Sequence, residues 1–332
     1  MSRSRALLAA AALTVGAACS AAPAPRSTRA VETSSRAAPP APPLPPPSAE
    51  PRIAARSAPI EFERLPLPLV RVTVAGFPTT MVLDTGATRT VVADWLAREA
   101  SVSTRLSETL VADHTGRRMP VLEAVDPRLV MGQWGPALEG GGPGVLVAQL
   151  PDALRNLGIG GLLPPQLLGR PGEAIVVDLA ERRLHAMSGA EAAQRFGARG
   201  RALAAPGAVR ACGSAPDAPL FAVDATVADR PARLELNTGA ADTDLKDTSS
   251  PGQALAGRAT RGERTVTASG SFVSRTLGAV KLTIGEVETT SEILLVPDSG
   301  RPTCPRDGFL GMSALRACVL VLDGARSFVR CS

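Results

Sequence analysis

Met81-Val82-Leu83-Asp84-Thr85-Gly86-Ala87 is an apolar strand that ends abruptly in a carboxylate, a hydroxyl and a glycine. Three short residues closing a hydrophobic run place one acid at the tip of a buried strand. Gly86 permits a sharp turn there that a Cβ would obstruct. Alone, such a string is weak, because an acid at a strand end is ordinarily a solvated turn residue or a helix N-cap.

It does not stand alone. Shifted by 153 positions without a gap, Leu69-Val70-Arg71-Val72-Thr73-Val74 meets Ala222-Val223-Asp224-Ala225-Thr226-Val227, and Pro78 meets Pro231. Met81 to Ala87 then meets Leu234-Glu235-Leu236-Asn237-Thr238-Gly239-Ala240. Each copy later carries an apolar-Gly turn, Gly158-Ile159-Gly160-Gly161-Leu162-Leu163 in one and Asp307-Gly308-Phe309-Leu310-Gly311-Met312 in the other. A strand, turn and strand follow each, from Ile175 to Leu184 and from Val319 to Val329. Matched elements in matched order identify an internal repeat.

These residues resemble the retropepsin-like and pepsin-like aspartic proteases, in which an Asp-Thr-Gly-Ala turn, a flap hairpin and a later apolar-apolar-Gly turn build half of an active site. The resemblance covers roughly residues 65 to 330. It implies a mostly β fold of two similar closed-barrel-like lobes and an aspartic-type endopeptidase that hydrolyses peptide bonds by water activation at Asp84. Thr85, Gly86, Thr238 and Gly239 would be the supporting turn residues. The matching second position is Asn237, where the family has its other catalytic aspartate. Two carboxylates in contact share a proton, one acting as base on water and the other polarising the scissile carbonyl. Asn237 can donate a hydrogen bond but cannot titrate. Two function classes follow. One is a hydrolase using the Asp84/Asn237 pair, or a homodimer pairing two first lobes as the family's single-lobe relatives do. The other is an inactive relative that holds extended peptides by strand addition.

Val111 to Met119 reads as a hairpin where the family has its flap, with His114, Thr115 and Gly116 at its tip. Thr90 to Ala100 has helical spacing. No Gly-x-Ser-x-Gly elbow occurs, and neither His114 nor His185 sits in a metal-ligand spacing, so serine-hydrolase and metal readings fail and no cofactor is expected.

The 332 residues suggest about two domains. The sequence pI near 9.4 invites a nucleic-acid reading. However, residues 1 to 56 hold seven arginines against Glu32 and Glu50, which accounts for the whole net charge of +5. The remainder is formally neutral, so no electrostatic case for nucleic acid survives. Residues 1 to 19 carry Arg3 and Arg5, then an apolar stretch, then Gly16-Ala17-Ala18-Cys19, the layout of a secretory signal. The cysteine after small residues resembles a bacterial lipoprotein cleavage site, which implies an exported cell-envelope protein, outer-membrane or periplasmic, held to the membrane only through a lipid on Cys19. Residues 20 to 58 are rich in Ala and Pro and read as a disordered tether. The first lobe is expected over 59–200 and the second over 201–332. Cys212, Cys304, Cys318 and Cys331 all fall in the second lobe and, in an exported chain, favour two disulfides. A final hairpin turning over Asp323 to Arg326 would set Cys318 opposite Cys331, leaving Cys212 with Cys304. The rival pairing, Cys212 with Cys331 and Cys304 with Cys318, stays open.

Overall fold

The computed structural model describes residues 14–15, 56–112, 118–134, 144–197, 201–202, 219–267, 270–285, 287–298 and 306–331. Its first half contains β1 (Thr14–Val15), β2 (Arg56–Pro59), β3 (Leu69–Val74), β4 (Phe77–Leu83), β5 (Val91–Ala93), β6 (Ser103–Ala112), β7 (Arg118–Val125), β8 (Leu129–Val130), β9 (Leu146–Ala148), β10 (Ile159–Leu163), β11 (Glu173–Asp178) and β12 (Arg183–Ser188). The second half contains β13 (Arg201–Ala202), β14 (Ala222–Val227), β15 (Arg230–Leu236), β16 (Thr243–Lys246), β17 (Thr260–Thr267), β18 (Gly270–Ile284), β19 (Val287–Val296), β20 (Gly308–Leu310), β21 (Cys318–Leu322) and β22 (Phe328–Cys331). The chain is mostly β.

The first hairpin of each copy, β3–β4 and β14–β15, begins and ends at equivalent residues. β3 and β14 share one burial pattern, two buried residues, one exposed, then buried, half-buried and buried. This is the expected signature of alternating Val against Arg, Asp and Thr with one face in the core. Both hairpins turn through adjacent left-handed residues, Ala75 and Gly76 in one and Ala228 and Asp229 in the other. Arg71↔Thr80 and Asp224↔Arg233 are corresponding pairs in the two ladders.

In the second half, β14, β15, β20, β16, β19 and β18 form a closed ring, because β18 pairs back onto β14. Closure removes the exposed edges of those strands. The first half differs. Its corresponding path runs β3, β4, β10, β5, β9, β7, with β8 pairing back onto β3. Asp126 and Arg128, both at positive φ, flank Pro127 and split β7 from β8. A proline has no N–H for the ladder, so the strand is interrupted where β18 runs on. Two closed barrels were expected; one six-stranded ring closes without a break.

The two terminal hairpins do not stay each in its own half. β11 and β21 pair antiparallel, Val176↔Val321 and Val177↔Leu320, giving a six-stranded sheet in the order β13-β22-β21-β11-β12-β2. The helix Gly189–Phe196 covers one face, with Ala192 and Phe196 against Val176, Met187, Val319 and Phe328. Elsewhere one apolar cluster runs through both halves, including Leu83, Leu163, Leu236 and Leu310.

One local expectation changes and one open alternative closes. The stretch expected to be helical from Thr90 is strand β5 as far as Ala93, followed by a short helix over Asp94–Glu99. Val91 and Val92 pair with β10 and β9, and β-branched residues pack well on such a surface. Cys318 and Cys331 face one another in the β21–β22 ladder and form a disulfide, which excludes the rival pairing. Cys212 and Cys304 lie outside the described residues, as do Cys19, residues 20–55 of the tether, and His114, Thr115 and Gly116; the flanking pair Ala112↔Arg118 does form a hairpin. No helix among the described residues is long and apolar enough to cross a membrane.

Candidate functional site

Asp84 and Asn237 directly follow β4 and β15 and are hydrogen-bonded alike. The N–H of Asp84 donates to Leu163 O and that of Asn237 to Leu310 O, both at 3.0 Å. Ala87 N–H donates to Asp84 O and Ala240 N–H to Asn237 O, both at 3.2 Å. Gly86 N–H donates to Asp84 Oδ1 at 2.9 Å and Gly239 N–H to Asn237 Oδ1 at 3.0 Å. The amide in the second turn therefore occupies the same bonding position as the carboxyl in the first.

The two turns are clasped together by their threonines. Thr85 N–H donates to Thr238 Oγ1 at 3.0 Å, and Thr85 Oγ1 donates to Leu236 O at 2.8 Å. Reciprocally, Thr238 N–H donates to Thr85 Oγ1 at 3.1 Å and Thr238 Oγ1 to Leu83 O at 2.6 Å. All four bonds are buried. Each hydroxyl spends its one hydrogen on a carbonyl and accepts from the opposite turn, which only Ser or Thr can do in so small a volume. The approach is close enough that a Cβ on Gly239 would overlap the Asp84 carboxylate. Glycine is required there for space.

Asp84 is fully buried, and its Oδ2 has no hydrogen-bond partner within the protein. Burial pushes its carboxyl up from 3.8 to about 7, against the opposing pull of the backbone N–H groups of Gly86, Gly239 and Ala87. Desolvation of the charged form wins because those dipoles are the sole compensation. With the neutral Asn237 opposite, no second carboxylate contributes. The expected dyad is thus a single titrating acid beside an amide, both presented by turns locked to one another.

Sequence reading placed Asp84, Thr85, Gly86, Asn237, Thr238 and Gly239 together, and they are together. It missed other groups. Gln166, in a 3₁₀ turn over Pro165–Leu167, aims its amide at the backbone of the Asp84 turn. Asp244 is buried on β16, where Phe309 N–H donates to its Oδ1 at 3.0 Å, and burial lifts its carboxyl to about 7. Glu235, inside the apolar Leu234-Leu236 run, forms a buried ion pair with Arg306, which also stacks over Phe309 at 4.2 Å. An alternating strand pattern gives no signal for such a pair. Among the described residues no group of three or more His, Cys, Asp or Glu side chains could hold a metal.

No family model matches this chain. No curated protein matches it either. Among solved structures, an aspartic proteinase from Irpex lacteus is similar, at a TM-score of 0.42 and 12% identity over 84% of this chain and 98% of that one. A likeness that distant carries no residue roles across; the hydrogen bonds of the two turns stand on their own.

Proposed function

We propose that the protein is an aspartic-type endopeptidase built from two similar lobes, 59–200 and 201–332, that arose by duplication, with one working carboxyl at their junction. The observation that carries this is the Asp84 carboxyl, fully buried, with Oδ2 unpaired and a pKa near neutrality. The matched strand boundaries and matched hydrogen bonds at the two turns support the duplication. Ionised Asp84 takes a proton from water as the oxygen attacks the peptide carbonyl. The Asn237 amide donates to the developing oxyanion, and the proton held by Asp84 passes to the departing amine. The Thr85/Thr238 clasp joins the two turns within one chain, which supports a single-chain site over a dimer of first lobes.

The base must be ionised. For an acid raised to about 7, cleavage should therefore rise with pH through neutrality and fade below it. Cleavage of a peptide library between pH 5 and 8.5, by the unaltered chain and by Asp84→Asn, tests this. Cleavage that survives Asp84→Asn would end the proposal. The specific observation favouring a second reading, peptide holding without cleavage, is Asn237 itself, which occupies the second position but cannot exchange a proton. Binding of extended peptides with no cleavage at any pH would select that reading. Arg56, Ser57 and Ala58, expected in the tether, belong instead to strand β2, where they pair with β12. We also propose that Cys19 carries a lipid and that the residues from 20 up to β2 act as a tether; retained membrane association of Cys19→Ala would refute it.

A further inference from the structure

The two turns share their hydrogen bonds, but the segments that follow the apolar-Gly strands hold them by different chemistry. β10 and β20 pair with β4 and β15 at equivalent residues, Leu163↔Leu83 and Leu310↔Leu236. Counting onward, Pro165 therefore corresponds to Met312 and Gln166 to Ser313. In the second half, Met312 N–H donates to Ala240 O and Ser313 N–H to Ala241 O, both at 2.9 Å. The backbone of the short helix Met312–Leu315 thus fixes the carbonyls of the Asn237 turn.

In the first half that device is missing at its first position, because Pro165 has no N–H to offer Ala87 O. Gln166 supplies it from its side chain. Its Nε2 lies 3.0 Å from Ala87 O, 3.2 Å from Thr85 O and 3.3 Å from Pro219 O. Thr85 and Ala87 belong to the catalytic turn, whereas Pro219 lies just ahead of β14, at the entry to the second half. Three carbonyls converging on one nitrogen assign the side-chain orientation, since Oε1 in that place would meet three acceptors. One amide therefore holds the acid's turn and ties it to the opposite half.

We infer that Gln166 is the positioning residue for Asp84: it replaces the missing Pro165 N–H and sets the Asp84 turn in register with the second half. This rests on Asp84 being the working group. Gln166 touches no reacting atom and acts through the backbone on either side of Asp84.

The test uses the full chain with Gln166→Met, which keeps the length and removes the donor, and Gln166→Lys, which restores a donor of similar reach. Amide hydrogen exchange reads the turn without requiring activity. Gly86 and Ala87 N–H, both bonded to Asp84, should exchange about tenfold faster in Gln166→Met, the factor for losing about 1.4 kcal/mol of local protection. Val176 and Val177 on β11 should be unaffected. Gln166→Lys should recover most of the protection, and in an active protein it should recover the kcat lost by Gln166→Met at little-changed KM. Unchanged exchange at Gly86 in Gln166→Met, or faster exchange spread equally over β11 and not rescued by Lys, overturns the assignment. An unaltered chain that cleaves nothing would count against the hydrolase reading alone, with the exchange experiment still deciding the role of Gln166.

Discussion

Replacing Asp84 by Asn should stabilise the protein at neutral and alkaline pH, and the gain should vanish in acid. The Asp84 carboxyl rises from 3.8 to about 7 through burial, so the folded state binds its proton more tightly than the unfolded chain. Between about pH 4 and pH 7 the folded protein therefore holds more protons, and its stability falls as pH rises through that window and then levels off. At about 1.36 kcal/mol per pH unit the rise corresponds to roughly 4 kcal/mol as an upper limit. Asn should fit, because Asn237 already occupies the equivalent turn with the equivalent bond from Gly239 N–H. Asp244 is also raised to about 7, and His185 is lowered by burial, but both are present in either protein and cancel in the difference. Urea unfolding of both proteins from pH 4 to pH 8.5 gives that difference directly. Asp84→Asn should gain by roughly 2 to 4 kcal/mol between the ends of the range. A difference independent of pH would mean that Asp84 is not held protonated by burial, and the neutral-pH mechanism would fall with it.

Other consequences are as specific. Asn237→Asp places a second carboxyl where the turn already accepts one, so the pair should share a proton and shift cleavage toward acid; a pH profile identical to that of the unaltered chain would refute this. Thr238→Val deletes the hydroxyl that serves Leu83 O and Thr85 N, leaving two buried backbone groups unpaired, at roughly 1 to 3 kcal/mol each. Thr238→Ser should retain most of that stability in urea unfolding, and a Val variant as stable as the Ser variant would show the clasp to be dispensable. Cys331→Ser opens a link spanning 13 residues, worth about 3 kcal/mol in the chain-entropy account. Because β21 and β22 lie in one sheet with β11 and β12, the loss should speed amide exchange on β11 as well; protection on β11 unchanged would place the disulfide's effect in the second half alone.

What could be read from the sequence was whatever the repeat wrote twice. Alternating Val residues, a proline at the hairpin and the Thr-Gly pair after β4 and β15 are local patterns, and two copies of a local pattern check one another. Features that depend on pairing between distant segments left no such trace. The partner of β11 is β21, some 140 residues away, and each closing hairpin looks self-sufficient until the two are laid edge to edge. Closure of one ring and interruption of the other turns on Asp126-Pro127-Arg128, three residues in a stretch where the two copies diverge.

The sites where the copies differ are where the chemistry is decided. Asn237 for an aspartate changes charge without changing a single backbone bond of its turn, which argues that the turn's geometry is maintained by the threonine clasp rather than by the acid. Pro165 for Met312 removes a backbone donor, and Gln166 restores it from a side chain. One substitution removes a proton from the site; the other keeps the remaining acid in place. Gln166 gives Ala87 O the donor that Met312 N–H gives Ala240 O, so the turn that carries the acid is held as firmly as the turn that carries the amide. That Asp84 stays buried, braced from both halves and raised to about 7 is the physical case for treating it as a working group.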